Sequence, residues 1–190
     1  KKNKKAFSRS RGDGYWIWKP YLIQKTIQQI PEGDILIYLD SGVYPIQDYK
    51  NLPLNDDIVS FEMFDQYHKN WTKYDCFYLM NCMEEKYFVE KQRWAGLQIN
   101  RNTEASRTFL KEYIYYAEIL NNICITDDAS IHGKELDGFK EHRHDQSIYT
   151  NLCIKHGIKG HRDPSQWGNN YETFYEDAYK QILNLHRGNI

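Results

Sequence analysis

Two carboxylates stand at places in the sequence where chemistry could occur. Asp40 directly follows the short apolar run at residues 35–39, and Asp145 opens a helical pattern in the stretch HRHDQS. A continuous apolar run is typical of a strand that is buried on both faces of a parallel sheet. Asp40 would then lie at the carboxyl end of that strand, where open α/β sheets bind ligands. Asp145 could also act as a helix N-cap, because its carboxylate can accept amide hydrogen bonds from the following turn.

The apolar spacing predicts alternating helices and strands around these two residues. Such alternation favours an α/β architecture. We expect one domain with a mostly parallel or mixed sheet, with residues 35–39 in its interior and helices on both sides. The predicted helices are residues 20–30, 104–120, 145–156 and 171–185, and the predicted strands are residues 35–39, 58–64 and 95–99.

Bulk properties exclude several classes of protein. The length of 190 residues suits a single domain, and the net charge of -1 argues against a nucleic-acid binder with a broad basic face. No apolar run approaches the roughly 18 residues of a membrane span, so no transmembrane segment is expected. The four cysteines form no CxxC pair and no regular spacing, which predicts free thiols and a cytoplasmic protein.

Several motifs occur in an order that resembles a known family. The segment GYWIWKPYLIQKTIQQIPEGDILIYLDSG carries Lys19 near a helix start and ends its strand at Asp40. It resembles the core of GT-A-fold glycosyltransferases, particularly the glycogenin-like and galactosyltransferase-like retaining families. Downstream, WAGLQINRNT is similar to their AG strand, HDQS to their DQ motif, and IKGHRDPSQW to the segment that carries a metal-binding His. The strings YWIWKP and HRHDQS look closer to small bacterial and viral capsule or lipopolysaccharide transferases.

The resemblance implies a GT-A-like fold and transfer of a sugar from a nucleotide-sugar donor to a glycan or other hydroxyl acceptor. It implies that Asp145 and Gln146 are catalytic or bind the donor sugar. It also implies Mn²⁺ or Mg²⁺ held by Asp40 and His161, because these hard ions favour oxygen donors. The expected donor-binding residues are Arg11, Lys19, Asp40, Gly42, Lys73, Asp75 and Gly96. Among them, Lys73 and Asp75 flank Tyr74 in WTKYDCF, where a paired cation and carboxylate could bind sugar hydroxyls, or Asp75 could cap a helix start.

This chain departs from the family at one metal position. Gly42 stands where the family has a second Asp, so the strongest metal carboxylate is absent. Lys19 and Arg11 could supply part of the positive charge that a diphosphate leaving group needs. Trp167 is the tryptophan that we expect to act as a stacking platform for a sugar.

The family's fold begins with a strand and a helix that build much of the nucleobase pocket. Here the chain starts almost directly at the helix before Asp40, so the resemblance predicts that this amino-terminal strand and helix are missing. An exposed sheet edge beside residues 35–39 would follow, and a partner chain could cover it. Two alternatives stay open: an inactive sugar-binding or nucleotide-binding relative, and a metal-dependent nucleotidyltransferase or hydrolase that uses Asp40 with the HRHD cluster.

Overall fold

The computed structural model describes residues 3–186 as helices and strands that alternate along the chain. The helices are α1 (Lys4–Phe7), α2 (Gly12–Tyr15), α3 (Trp18–Ile27), α4 (Tyr74–Leu79), α5 (Glu85–Val89), α6 (Glu104–Asn122) and α7 (Asp145–Lys155). The strands are β1 (Ile35–Leu39), β2 (Val43–Pro45), β3 (Ile58–Tyr67), β4 (Lys91–Arg93), β5 (Leu97–Arg101), β6 (Gly160–Arg162) and β7 (Leu183–Leu185). Short 3-10 helices cover Tyr49–Asn51, His68–Asn70 and Gln166–Phe174.

The main sheet is mostly antiparallel, so the predicted mostly parallel, GT-A-like sheet is wrong. Its strand order is β1-β5-β3-β4, and every pair along this order is antiparallel. The one parallel pair joins β6 to β3. A second, two-stranded sheet pairs β2 with β7, also antiparallel.

Strand β1 lies at the end of the sheet rather than in its interior. All five of its residues are half-buried, and among residues 3–186 no strand pairs with its outer edge. Its apolar run has a different cause from the one expected: Leu36 and Tyr38 pack on helices α3 and α6, while Ile35, Ile37 and Leu39 pack on the cluster that includes β7. Both faces of this edge strand are therefore apolar. From the sequence alone, such a strand cannot be distinguished from a central strand of a parallel sheet. The partner chain expected at this edge stays a prediction.

The remaining helices pack on the opposite side of the sheet from β7. Helices α4, α6 and α7 contribute Phe77, Phe109 and Leu152 to the largest apolar cluster. Helix α6 begins at a Thr103 side chain that accepts a hydrogen bond from the Ser106 amide. The hydroxyl therefore satisfies one of the amides that a helix start leaves unpaired.

The helix predicted at residues 171–185 is wrong. Only its first residues are helical, in the 3-10 helix Gln166–Phe174, and the chain then runs without regular structure to β7. Tyr171 stacks on Phe64 with ring centroids 4.3 Å apart, and the ring of Phe174 is tilted against Phe64 at 4.6 Å. Leu183 is fully buried. These tertiary contacts decide the conformation against the local helical spacing. None of the helices among residues 3–186 is both long enough and apolar enough to cross a membrane.

Candidate functional site

The buried ammonium group of Lys19 joins both predicted carboxylates. Lys19 is 2% exposed, and its Nζ lies 2.8 Å from Asp145 Oδ2 and 3.4 Å from Asp40 Oδ1. The same Nζ donates to the carbonyl oxygen of Ala95 at 3.3 Å. Helix α3, the end of β1, the loop before β5 and the start of α7 therefore meet at one charged group.

Electrostatics keep this group charged. Burial lowers the pKa of Lys19, but the carboxylates of Asp145 and Asp40 outweigh it, so the pKa lies above its ordinary value. Burial raises the pKa of Asp145, against the opposing effect of Lys19. An ammonium has three donors, and here three acceptors surround it. We therefore interpret Lys19 as the residue that positions Asp40 and Asp145, with the tyrosine hydroxyl of Tyr38 also donating to Asp40 Oδ1 at 2.8 Å.

These residues line one cavity of about 210 Å³, which we call the carboxylate pocket. Six of the predicted site residues meet here: Arg11, Lys19, Asp40, Gly96, Asp145 and Gln146. The rest of the lining is Trp16, Met63, Gln66, Trp94, Ala95, Arg143 and His144. The pocket thus gathers residues from sequence motifs that are far apart in the chain.

Gly96 leaves space for the Asp40 carboxylate. A Cβ atom at position 96 would lie 2.8 Å from Asp40 Oδ2 and 2.5 Å from Trp94 Nε1. Real Cβ atoms do not approach other atoms so closely, so any larger residue would displace the carboxylate or the indole. The glycine of the AG pair is explained by this close approach.

Gln146 holds the loop that carries Gly96. Its Oε1 accepts a hydrogen bond from the Ala95 amide at 3.3 Å, and its Nε2 donates to Gln92 Oε1 at 3.0 Å. The side-chain amide therefore connects α7 to strand β4 and to the loop between β4 and β5. Asp145 is fixed in turn from the core, where the Tyr113 hydroxyl donates to its backbone carbonyl at 2.9 Å.

Two guanidinium groups stand beside the carboxylates. Arg11 and Arg143 both line the pocket, and both pair with Glu141, at 3.6 and 3.1 Å. Arg143 also lies over the ring of Trp71, 4.3 Å from its centroid. The sequence interpretation missed Arg143, because the HRHD stretch was weighed as a metal cluster.

The two histidines of that stretch face inward and bond the backbone. His142 Nε2 donates to the Cys124 carbonyl and His144 Nδ1 donates to the Ile125 carbonyl, both at 2.9 Å. His142 and His144 are buried, whereas Arg143 between them is half-buried. A cation between two histidines is the signal in the sequence that could have identified Arg143 as the more accessible residue.

His144 carries two further marks of a site residue. Its backbone has φ 53°, which is uncommon for a residue with a side chain and costs about 1–3 kcal/mol. Its Nε2 is buried and has no hydrogen-bond partner among the described residues. Because Nδ1 donates to a carbonyl, Nε2 is an acceptor, and it belongs to a side chain that lines the carboxylate pocket.

Buried neutral histidines give this protein an expected pH dependence of stability. Burial lowers the pKa of His68 to about 3 and the pKa of His144 to about 4. Well above pH 6.5, these two histidines are neutral in both the folded and the unfolded chain. Between pH 6.5 and pH 5, they take up protons only in the unfolded chain. Each histidine should therefore cost about 2 kcal/mol of unfolding free energy on going from pH 7 to pH 5.

Denaturant titrations at pH 7, 6 and 5 measure this effect. The variant His144→Asn should lose part of the slope, while His156→Asn, at an exposed position on the surface, should keep it. An unfolding free energy that stays constant from pH 7 to pH 5 would contradict the assignment of buried neutral imidazoles.

Four predicted site residues lie outside the carboxylate pocket. Lys73 is buried and donates to the Asp128 carbonyl at 3.2 Å, and burial lowers its pKa. Asp75 accepts backbone amides from Ile131 and His132, each at 2.9 Å, and so fixes that loop.

Gly42 and His161 serve other contacts. The Gly42 carbonyl accepts the His186 amide at 2.8 Å, and His161 Nδ1 bonds Asp177 at 2.8 Å. Asp40 and His161 therefore do not line a common pocket, and within residues 3–186 no group of three or more His, Cys, Asp or Glu side chains is arranged to hold a metal ion. Asp40 and His161 therefore do not fit the expected role of two ligands to one metal ion. The dependence on Mn²⁺ or Mg²⁺ stays a prediction.

Comparison with protein-family models, with curated proteins and with solved structures found no match to this chain.

Proposed function

We propose that this chain is a glycosyltransferase that moves a sugar from a nucleotide-sugar donor to a hydroxyl group of a glycan or other acceptor. The observation that carries the proposal is the arrangement of Asp40 and Asp145 around Lys19, beside Arg11 and Arg143 in one pocket. Carboxylates accept hydrogen bonds from sugar hydroxyls, and guanidinium groups bind phosphate oxygens bidentately. A donor that joins a sugar to a diphosphate presents both chemistries side by side.

In the proposed reaction, the bond between the anomeric carbon and the diphosphate oxygen breaks. The electron pair leaves with the nucleoside diphosphate. The acceptor hydroxyl oxygen forms the new bond to the anomeric carbon, and its proton passes to the departing diphosphate. Asp145 would stabilise the positive charge that develops at that carbon, while Arg11 and Arg143 would neutralise the departing diphosphate. Gly96 would let the donor approach Asp40 closely, and Gln146 would hold the loop in place.

Asp40 is the one partly exposed carboxylate of the pocket, and His161 is engaged by Asp177. The positive charge for the leaving group is therefore assigned to the two arginines.

A cytoplasmic location is part of the proposal. The cysteines Cys76, Cys82, Cys124 and Cys153 are all free and buried. Free thiols suit a reducing compartment, although they serve the packing of the core rather than the chemistry.

A panel of UDP-, GDP- and dTDP-sugars tests the proposal. One class of donor should raise the thermal unfolding midpoint, because a ligand that binds the folded state stabilises it. The same donor should release its nucleoside diphosphate when an acceptor is present. Each measurement is made with and without Mn²⁺, so the expected metal is tested in parallel.

The outcomes separate the candidate functions. A raised midpoint without release of nucleoside diphosphate would indicate a binding protein without transferase activity. A panel in which no donor changes the midpoint and none is turned over would contradict the proposal.

A further inference from the structure

A second cavity opens beside the carboxylate pocket. It measures about 320 Å³, and we call it the aromatic groove. Residues 62–66 of β3 form one wall, and the stretch from Arg162 to Tyr175 forms the other. Met63, Gln66 and Trp94 line both cavities, so the groove leads directly into the carboxylate pocket.

The wall on β3 is shaped by a bulge. Met63 pairs with Gln92 and Tyr67 pairs with Lys91, so the residues between Met63 and Tyr67 have no partners on β4. A bulge bends its strand and re-aims its side chains. The bulged residues, Phe64 to Gln66, are the ones that line the groove.

Trp167 presents an exposed ring at the mouth of the groove. Its side chain is 57% exposed, and the ring contacts around the groove join Phe64, Tyr171, Phe174 and Tyr175 to one another, with none to Trp167 among the described residues.

The backbone at Trp167 is fixed by its neighbours. Ser165 Oγ accepts the Trp167 amide at 3.3 Å, and a Cβ atom at Gly168 would lie 1.8 Å from the Asp163 carbonyl oxygen. An exposed indole on a fixed backbone offers a flat apolar face with a polar edge.

The groove also holds polar groups without partners. Gln66 Oε1 is buried and accepts no hydrogen bond from the described residues, although Gln66 lines both cavities. Arg162 is 1% exposed, and its Nε is likewise buried without a hydrogen-bond partner. Unpaired buried polar groups are costly and rare, so a ligand with both donors and acceptors would relieve them.

The charge of the groove favours a neutral ligand. Glu62, Asp65 and Asp163 line it together with Arg162, and Glu62 is paired with the Arg93 guanidinium at 2.6 Å. An anionic ligand would be repelled by the exposed carboxylate of Asp65 in the lining. A sugar ring has apolar C–H faces that can stack on the Trp167 indole. Its hydroxyl groups can hydrogen-bond the Gln66 amide and the carboxylates of the groove.

We infer that the aromatic groove binds a neutral sugar residue of the acceptor glycan. Trp167 stacks on the sugar ring, Gln66 accepts a hydroxyl hydrogen, and the opening beside Met63 and Trp94 directs the reactive hydroxyl toward Asp40 and Asp145. The inference rests on the proposed function only in naming this sugar as the acceptor, because binding of a sugar in the groove needs no donor.

The test is binding of neutral oligosaccharides, built from hexoses and N-acetylhexosamines, measured by calorimetry without any nucleotide. At least one should bind the wild-type protein. Trp167→Ala should bind it at least tenfold more weakly, and Trp167→Phe should retain most of the affinity. Tyr115→Ala removes an exposed ring on α6, outside the groove, and should bind as the wild type does.

Two further measurements separate this inference from the proposed function. Nucleotide-sugar binding, measured through the shift of the thermal unfolding midpoint, should be the same for Trp167→Ala as for the wild type. If the wild type binds no nucleotide sugar, the proposed transferase function is contradicted, but sugar binding in the groove is not. Uronic-acid oligosaccharides should bind more weakly than neutral ones. The inference is overturned if no neutral oligosaccharide binds, if Trp167→Ala binds as tightly as the wild type, or if the acidic oligosaccharides bind more tightly.

Discussion

The variant Lys19→Met is expected to lose about 3–5 kcal/mol of unfolding free energy, because it leaves the buried Asp145 carboxylate without its partner. Asp145 is 4% exposed and lies 2.8 Å from the Lys19 ammonium, so water does not replace the lost contact. Denaturant titration at pH 7 measures the loss. Lys25→Met, on the exposed side of the same helix, should change the unfolding free energy little.

A double variant distinguishes the buried ion pair from simple packing. Lys19→Met combined with Asp145→Asn removes both charges, and it should be more stable than Lys19→Met alone. It should still be inactive, since the carboxylate is gone. If the double variant were no more stable than the single one, the loss would be due to the shape of the methionine and not to an uncompensated charge.

The variant Asp145→Asn is expected to lower turnover by about a hundredfold or more, which is about 2.7 kcal/mol of transition-state stabilisation. The amide has nearly the same shape, so it keeps the start of α7 but cannot stabilise positive charge at the anomeric carbon as a carboxylate does. The affinity for the donor, measured through the shift of the thermal unfolding midpoint, should change far less than kcat. Asp137→Asn, at an exposed position in the loop before α7, provides the matched control.

A different result would change the role assigned to Asp145. Turnover equal to that of the wild type would reduce Asp145 to the ion pair with Lys19 and to the start of its helix. Equal losses in donor affinity and in turnover would indicate that Asp145 binds the donor sugar in the ground state.

The local elements could be predicted from the sequence, but their arrangement could not. The apolar run of β1 gives its bounds, Ile35–Leu39, and the helical spacing gives α6 and α7 within about two residues. Side-chain alternation shows which faces of a strand are covered, yet it contains no information about the direction of the neighbouring strand. Strand β1 pairs antiparallel with β5, and this pairing decides the fold class.

Residues of the candidate site could be predicted where the local sequence pattern alone marks their position. Asp40 ends a strand and Asp145 starts a helix, so both positions could be chosen without knowing their neighbours, whereas Gly96 was chosen from the AG motif. His161 and Asp75 could not be placed, because their partners are remote: Asp75 bonds a loop more than 50 residues along the chain. Gln66 was missed because a bulge has no signature in residue spacing.

Lys19 also bears on the order in which the molecule assembles. Its Nζ reaches the Ala95 carbonyl 76 positions along the chain, and the carboxylate of Asp145 lies further still. Contacts of such long range form late in folding, because the loops between them must be closed first. In a collapsed chain in which α3 has not docked against the start of α7, the pocket residues are therefore present but the carboxylate pocket is not formed. The proposed chemistry would therefore need the docked α3, and a local opening of α3 would abolish it.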